Sequence, residues 1–561
     1  MTCISATSAL PAPSRFAMSD RAISWLLTVL AAIPMLVFLV MPLSAILARS
    51  FDAPDGFGLG NFIAVFRTER FWHLLRNSLT MSGGATLIVV ASAYGYAYAL
   101  QRTRVPFKPL LRIIILMPLF APSLIQAQGL LLLLGRNGIL NRSFGLGIDI
   151  YGFWGTMIAN ALYALPYAFL ILSAALAVAD ARLYESAEVL GARPLRIFWT
   201  ITLPSTRYGV AATCFIVFML VMTDFGNPMI IGGDFSVLAT EVYNQVIGQA
   251  QFGLGAVIGI VLLVPAIFAK LIEKRLTRRQ HALVTAQSRP LAVKPALARD
   301  AAFAVYAYTI AALILSVLII VVVASFVRLW PYNMTLTLHH YQFDVQNGIR
   351  PLWNSVGISL ATAFFGVAVA GLTAIVTLKV RNALTGPLSF LAILPSAVPG
   401  MVLGLGYVLA FNDPSNPLNF LHGTFALIVI LGIYYNHAHA FLIASTSLRQ
   451  VSGSFDEAST MLGGSVITTL RKITLPLLWP TLLGVGVFFF MRAMVSLSAV
   501  IFLVTPSTQV AAISVLQLSD RGAVNQAAAF SVCIMAIVVL CLAIVRAVLW
   551  LAGVKDVTLV R

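Results

Sequence analysis

The sequence predicts an all-α membrane protein with about twelve transmembrane helices, arranged as two parallel six-helix repeats. Hydrophobic residues make up 60% of the 561-residue chain and charged residues only 10%, whereas a soluble domain is roughly 45–50% apolar and about 25% charged. Apolar runs long enough to cross a bilayer as helices recur throughout, and one polar segment occurs twice. The alternating ten-residue segments typical of a membrane β-barrel are not evident.

Hydropathy divides the chain into twelve candidate spans. The first six cover residues 23–47, 78–100, 110–134, 151–178, 209–223 and 252–272, and the next six cover 303–327, 355–378, 388–411, 422–445, 478–504 and 527–551. The first apolar run is too long for the core of a signal peptide, so we expect it to remain as span 1. Translation could also begin at Met18 rather than at Met1.

Positive charge predicts the orientation. Lys and Arg concentrate in the segments that are cytoplasmic if the N-terminus is inside, and the loops around Asp234 and Asp413 contain none. Because cytoplasmic loops accumulate these residues, we expect both termini in the cytoplasm, and we attribute the net charge of +17 to topology and not to nucleic-acid binding. The expected parts are an N-terminal tail (1–22), a first unit (23–272), a basic linker that could meet membrane lipid (273–302), a second unit (303–551) and a C-terminal tail (552–561).

Short motifs show that the two units are repeats. An Asn-Ser dipeptide opens span 2 at 77–78, and another opens span 8 at 354–355. Two prolines that interrupt span 3 recur in span 9 with the same separation in sequence, namely Pro118 and Pro122, then Pro395 and Pro399. Since six helices separate the copies, both units have the same orientation, which predicts a parallel repeat about an axis along the membrane normal.

The polar segments at 180–204 and 452–476 also recur, with a slightly shorter separation that short insertions or deletions between the two regions would explain. We expect each to form two short helices around a glycine that adopts a left-handed conformation. Ser454 has the spacing of a capping box, Asp180 could cap the first copy, and the following Leu-Pro would turn the chain into the membrane. In the first copy Leu195, Phe198 and Ile201 would pack against the spans as one apolar face.

Both segments resemble the EAA loop, or coupling loop, of binding-protein-dependent ABC import permeases, and the resemblance covers the chain from about Ser78 to Leu551. The first copy has Glu185, Ser186, Ala187 and Gly191, and the second has Glu457, Ala458, Ser459 and Gly463, each with one Ser where the strict motif has Ala. The resemblance implies that the loops lie in the cytoplasm and dock on two copies of an ABC ATPase subunit, with Glu185 and Glu457 facing basic groups. It also implies a bacterial inner-membrane location and an extracytoplasmic solute-binding protein. The alternative is that the loops only brace the helix bundle.

No catalytic or metal site is predicted in this chain. It has no G-x-x-x-x-G-K-[ST] phosphate loop, so we expect ATP to be bound by the partner subunit and no cofactor here. His437 and His439 are expected to be packing residues. A secondary carrier would need ion-coupling groups, yet Asp224 is the one acidic residue near the interior of a span. A membrane-embedded enzyme would need a cluster of His, Asp or Glu at helical spacing, which the sequence does not show. The sequence therefore favours neither alternative.

Charged residues inside spans are the candidates for the substrate path, because burying charge in a bilayer is costly. These are Arg492 in span 11 and Asp224 near the outer end of span 5, with Asn227 and Ser496 as weaker polar candidates. Arg492 and Asp224 could instead form a structural ion pair with each other.

The transported solute is expected to be 2-aminoethylphosphonate or a related phosphonate, with ferric iron as the alternative. The segment RAMVSLSAVIFLV at 492–504 resembles permeases of both kinds of importer. The segment that begins TDFGNPMIIGG at residue 223 looks closer to the phosphonate branch. An Arg in the path suits an anion.

Overall fold

Each predicted span corresponds to a helix or a bent pair of helices. The computed structural model describes residues 18–177, 181–281, 293, 295–343, 348–380 and 382–553. Within them, nine helices are long and apolar enough to cross a membrane, two further candidates are bent helix pairs, and a shorter apolar helix supplies the twelfth. The all-α fold is therefore confirmed. The proposed unit boundaries remain predictions.

The spans of the first half have the following bounds. Span 1 is Met18–Met35, Leu36–Val40 and Met41–Phe51; span 2 is Glu69–Arg102; span 3 is Lys108–Leu116, Met117–Phe120 and Leu124–Leu134; span 4 is Phe153–Ala177; span 5 is Pro194–Ile197, Phe198–Thr202 and Leu203–Met222; span 6 lies in Phe252–His281. Shorter helices are Gly60–Arg67, Ile139–Phe144, Ala181–Val189, Gly226–Ile231, Leu238–Tyr243 and Asn244–Gly248.

The second half repeats this order. Span 7 is Leu297–Phe326; span 8 is Arg350–Lys379; span 9 is Thr385–Ile393, Leu394–Ala397 and Gly400–Phe411; span 10 is Phe425–Gln450; span 11 is Val466–Thr469, Leu470–Thr474 and Leu475–Met494; span 12 is Val524–Leu551. Shorter helices are His339–Tyr341, Asn419–Leu421, Ser454–Met461 and Ala511–Asp520. Two small antiparallel hairpins, Asp52–Ala53 with Gly56–Phe57 and Val327–Leu329 with Asn333–Leu336, follow spans 1 and 7.

Several span ends differ from the prediction. The helices of spans 2, 5 and 11 begin earlier, at Glu69, Pro194 and Val466. Span 11 ends at Met494 and not at residue 504, because the apolar residues that follow leave the helix and precede Ala511–Asp520. The helix of span 6 continues to His281, beyond the predicted end at residue 272. Residues 282–292 and 294 of the predicted linker lie outside the described residues.

Spans 3 and 9 are bent sharply at equivalent places. The helix pairs meet at 106° in span 3 and 112° in span 9. Pro118 and Pro395 lie in the 3-10 turns just before these bends. A proline cannot donate a backbone hydrogen bond and its ring displaces the preceding turn, so the repeated prolines account for the repeated break.

The first helix of each half lies against the other half. Tyr407 donates its hydroxyl to the backbone oxygen of Phe38 at 2.6 Å, and Tyr306 donates to that of Ser92 at 3.0 Å. Repeated glycines permit this crossing. A Cβ at Gly129 would lie 2.5 Å from the oxygen of Val317, and one at Gly406 would lie 2.6 Å from the oxygen of Pro42. Two backbones at such distances leave no room for a side chain.

The Asn-Ser dipeptides cap short helices after spans 5 and 11. Ser78 accepts the backbone N–H of Leu238 at 2.8 Å, and Ser355 accepts that of Ala511 at 2.8 Å. The neighbouring Asn side chains donate to backbone oxygens two residues before each helix. A hydroxyl that satisfies a free N–H at a helix start stabilises that helix. The repeat therefore preserves the same cap in both halves.

Candidate functional site: two coupling loops and a cavity between the halves

The glycines of the two loops adopt the predicted conformation. Gly191 has φ +70° and Gly463 has φ +75°, a region that other residues rarely adopt. Each glycine ends a short helix with the same pair of backbone hydrogen bonds, all at 2.8–3.0 Å. In the first loop, the N–H groups of Gly191 and Ala192 donate to the backbone oxygens of Glu188 and Ala187. In the second loop, those of Gly463 and Gly464 donate to the backbone oxygens of Thr460 and Ser459. This is a Schellman motif, and it produces the same sharp turn in both loops.

A helix begins at Ser454 as predicted, but Ser454 is not its N-cap. The helix Ser454–Met461 has Gly453 at its N-cap, and a glycine has no side chain that could cap it. The hydroxyl of Ser452 accepts the N–H of Ser454 at 3.3 Å, so Ser454 itself is already in the first turn. The predicted cap of the first copy, Asp180, lies outside the described residues.

The Leu-Pro pairs do not turn the chain, because the helix runs through them into the span. Just before each proline lies a π-helical turn, Phe198–Thr202 or Leu470–Thr474, in which Leu203 N–H bonds to the oxygen of Phe198 and Leu475 N–H to that of Leu470. The wider turn makes space for the proline ring. In both loops, the helix that follows the glycine is thus continuous with the span. A movement of the loop would therefore be transmitted directly to that span.

The outer surface of each loop is exposed. Glu185 and Glu457 are exposed, as is Ser186. The apolar residues before the two glycines are 84–90% exposed: Val189, Leu190, Met461 and Leu462. Leu195, expected to pack against the spans, is 71% exposed, and Trp199 one turn later is 60% exposed. Contiguous exposed apolar residues beside charges are typical of a surface that binds a partner.

One small residue of each motif faces inward, whereas the other, Ser186 or Ala458, is exposed like the glutamate. Ala187 is half-buried and Ser459 is buried. The hydroxyl of Ser459 lies 2.6 Å from that of Thr469 on the second helix of its loop. Small side chains at these positions allow the two helices of each loop to pack closely.

A polar cavity of about 60 Å³ lies between the two halves. It contains three of the four predicted substrate-path residues, Asp224 from the first half and Arg492 and Ser496 from the second. The other polar residues that line it are Ser123, Tyr163, Tyr167, Thr223, Tyr435 and Ser498. Such a density of polar groups among membrane helices is unusual and is typical of a solute pathway.

Arg492 bridges the halves through neutral partners. Its Nη1 donates to the hydroxyl of Tyr167 in span 4 at 3.0 Å, and its Nε donates to Asn436 Oδ1 in span 10 at 3.2 Å. Among the described residues no salt bridge joins it to Asp224. The alternative of a direct structural ion pair is therefore not what the structure shows.

Asp224 and Asn227 have clear structural contacts. Asp224 accepts the backbone N–H of Asn227 at 3.0 Å and so caps the helix Gly226–Ile231. Asn227 is fully buried behind the cavity wall, where it accepts the N–H of Ala127 and donates to Asn160, both at 3.2 Å. Asp224 reaches the cavity while holding this helix in place, whereas Asn227 ties spans 3 and 4 to it.

Sequence reasoning missed the tyrosines. Tyr163 and Tyr435 have the same separation in sequence as the two loop glycines, so the repeat itself was a signal for this pair.

His437 is fully buried and its ring stacks on that of Phe441, with 6.2 Å between the ring centroids, as a packing residue would. Within the described part of the chain, His, Cys, Asp and Glu form no group of three that could hold a metal ion. The side-chain oxygen atoms that line the cavity belong to Tyr, Ser, Thr and Asp residues.

Comparison with known proteins identifies both halves. The family model of the "binding-protein-dependent transport system inner membrane component" matches residues 88–281 and again residues 350–552. One solved structure that is similar, a bacterial ABC transporter involved in the import of the acidic polysaccharide alginate, has 20% identity, a TM-score of 0.40, and coverage of 48% of this chain and 99% of that chain.

Two similar bacterial proteins match most of the chain, and a third matches a shorter part. A ferric transport system permease protein of Actinobacillus pleuropneumoniae is 30% identical over 92% of this chain and 76% of its own length. A candidate ferric transport system permease of Haemophilus influenzae is 32% identical over 84% of this chain and 77% of its own length. A candidate 2-aminoethylphosphonate permease of Salmonella paratyphi A is 30% identical over only 27% of this chain and 57% of its own length. This chain belongs to the family of binding-protein-dependent ABC importer permeases and contains two fused permease units.

Proposed function

We propose that this chain is the permease of a ferric-iron importer, and that it works with two ABC ATPase subunits and an extracytoplasmic binding protein. The observation that supports this cargo is the extent of its similarity to ferric permeases, at 30% identity over 92% of the chain. The phosphonate interpretation of the sequence rests on a much shorter match. Ferric iron therefore replaces it as the proposed cargo.

The chemistry of the cavity agrees with this proposal. Its polar groups are hydroxyl and carboxylate oxygens with one guanidinium, and among the described residues neither a thiol nor an imidazole lines it. Hard cations prefer oxygen donors. Arg492 adds a positive charge that an anion accompanying the iron would neutralise, so the cavity suits a ferric ion that travels with an anion rather than a bare ion.

The coupling loops provide the connection to ATP. Each presents an exposed glutamate and exposed apolar residues at its turn, and each continues without interruption into a span. Closure of an ATPase pair would move the loops and, through spans 5 and 11, the cavity walls that carry Asp224 and Arg492. The cavity would then open alternately to the two sides of the membrane.

Uptake in reconstituted vesicles tests this proposal. The chain, its ATPase subunit and its binding protein would be assembled in proteoliposomes, and radiolabelled ferric iron and 2-aminoethylphosphonate would be compared for ATP-dependent uptake and for stimulation of ATP hydrolysis. We expect iron to be imported. Uptake of the phosphonate alone would overturn the proposed cargo and leave the coupling mechanism in place.

Charge reversal tests the role of the loops in the same vesicles. Glu185→Arg combined with Glu457→Arg should abolish stimulated hydrolysis, because two repulsive charges would face the ATPase. Glu69→Arg is the matched control. Glu69 is an exposed carboxylate at the first residue of span 2, the end of that span away from the coupling loops. Coupling of the double variant at the wild-type level would show that the loops are not the docking sites.

A further inference from the structure

Each coupling loop is held to the end of its unit's second helix by a contact at equivalent positions. Arg102 is the last residue of span 2, and Lys379 is the last residue of span 8. Their partners, Tyr184 and Asp456, directly precede the motif glutamates of the two loops. Arg102 and Lys379 are as far apart in sequence as the two Asn-Ser dipeptides are. Tyr184 and Asp456 are as far apart as the two loop glycines are. The contact is therefore part of the repeat, although its chemistry differs.

The first contact is buried and aromatic. The guanidinium carbon of Arg102 lies 5.1 Å from the centre of the Tyr184 ring, and its Nη2 donates to the oxygen of Leu176 at 2.7 Å. Arg102 is 7% exposed and Tyr184 8% exposed. The Tyr184 hydroxyl also donates to Thr202 at 3.1 Å, which fastens the loop to the π-helical turn of span 5. Cation–π contacts strengthen when water is excluded, and dissolved salt has little access to this one.

The second contact is an ion pair that water reaches. Lys379 pairs with Asp456, and their side chains are 20% and 35% exposed. Ion pairs near the surface are weak because water and salt screen them. The position of Tyr184 is occupied here by a carboxylate, so no ring covers the cation from that position. The second loop is consequently held by a contact whose strength depends on charge and on ionic strength.

We propose that Arg102–Tyr184 and Lys379–Asp456 are positioning contacts that fix the angle of each coupling loop against its own unit, and that they make the two loops mechanically unequal. The first loop is held rigidly and independently of salt. The second loop yields when its ion pair is screened. This inference rests on the proposed docking of the loops on an ATPase, and it adds which residues hold the loops and how the halves differ.

Another role for Asp456 must be distinguished by the test. Asp456 lies in the first turn of the helix Ser454–Met461, where a negative charge by itself stabilises a helix. If that were its whole role, replacing Lys379 would have no effect on the loop. If the ion pair positions the loop, both residues matter, and exchanging their charges restores the contact.

The experiment is a charge-exchange cycle in the assembled transporter. Lys379→Glu, Asp456→Lys and the double variant would be compared for the ratio of stimulated to basal ATP hydrolysis, at low and high salt. We expect each single variant to lower the ratio roughly two- to five-fold, as the loss of a partly exposed pair allows, and the double variant to recover most of it. In the wild type, high salt should lower the ratio toward that of the single variants.

The first half provides the matched comparison. Tyr184→Leu removes the ring and should lower the ratio by a similar factor at every salt concentration, whereas Tyr184→Phe keeps the ring over Arg102 and should have the smaller effect. A double charge variant as impaired as Asp456→Lys alone would overturn the ion-pair role. The effect of Tyr184→Leu on the ratio, relative to the wild type, should not change with salt, whereas that of Lys379→Glu should shrink. If salt changed both effects equally, the inequality of the loops would be overturned.

The outcome can be separated from the identity of the cargo. Retention of the ATPase subunit by the purified chain, measured across the same salt range, follows the loop contacts without any solute. If iron failed to stimulate hydrolysis but the charge exchange still restored salt-dependent retention, the proposed cargo would fall and the positioning role would stand. Loss of retention in both single variants without recovery in the exchange would refute the positioning role whatever the cargo.

Discussion

Replacement of the loop glycines should weaken ATPase binding by a predictable amount. Gly191 and Gly463 have φ +70° and +75°, and a Cβ at either position would meet nothing within 4 Å. The cost of Gly191→Ala or Gly463→Ala is therefore conformational and not steric, about 1–2 kcal/mol for an L-residue in this region. If the ATPase binds the turned loop, that cost appears as a roughly 5- to 30-fold loss of affinity for each glycine.

The assay is titration of the ATPase subunit against the chain in nanodiscs. Gly191→Asn is the conservative control, because Asn tolerates the left-handed region, and it should retain most of the affinity. Gly357→Ala is the second control: Gly357 lies within span 8, also has open space around it and has no positive φ, so alanine should stabilise that helix by up to about 1 kcal/mol. Wild-type affinity for Gly463→Ala would refute the reasoning.

Three further substitutions test the cavity and the fold. Arg492→Met removes the positive charge and two hydrogen bonds from the cavity; a hydrogen bond from a charged donor is worth about 1.5–3 kcal/mol, so solute uptake should fall at least roughly 10-fold while ATPase affinity is kept; equal loss of both would show a folding defect instead. Ser355→Ala should lower the thermal stability of the purified chain by about 0.5–2 kcal/mol through the lost cap, and an unchanged melting temperature would contradict that role. Gly129→Ala should destabilise by about 1–3 kcal/mol, since its Cβ would lie 2.5 Å from a carbonyl oxygen of span 7; the same melting measurement as for Ser355→Ala would detect a failure of this expectation.

Features that depend on local chemistry were predictable from the sequence. The turn of each loop was visible because glycine is the residue that enters the left-handed region without strain, and Gly191 and Gly463 hold that position in both copies. The breaks in spans 3 and 9 were visible because Pro118 and Pro395 remove a helical hydrogen bond. In each case the residue type itself decides which backbone conformations are accessible, so a single sequence contained the information.

Features that depend on tertiary context were not predictable. Hydropathy extended span 11 to residue 504 because the residues after Met494 are as apolar as the helix before them, and composition does not report where a backbone leaves a helix. Tyr167 sits in an apolar run, where a tyrosine usually packs, and its approach to Arg492 depends on how the two halves meet. The π-helical turn before Pro204 is likewise a response of the whole helix to a proline.

The exchange of first helices has a consequence for how the protein is made. Span 7 lies against spans 2 and 3, with Tyr306 bonded to Ser92 and Val317 against Gly129. Chains emerge from the ribosome N-terminus first, so the first half enters the membrane before the helix that covers this face has been synthesised. Until residue 326 has been inserted, the groove at Gly129 is open to lipid. We therefore expect newly made first halves to be open to quality-control proteases during that interval, and a chain truncated after span 6 should be degraded faster than one truncated after span 7.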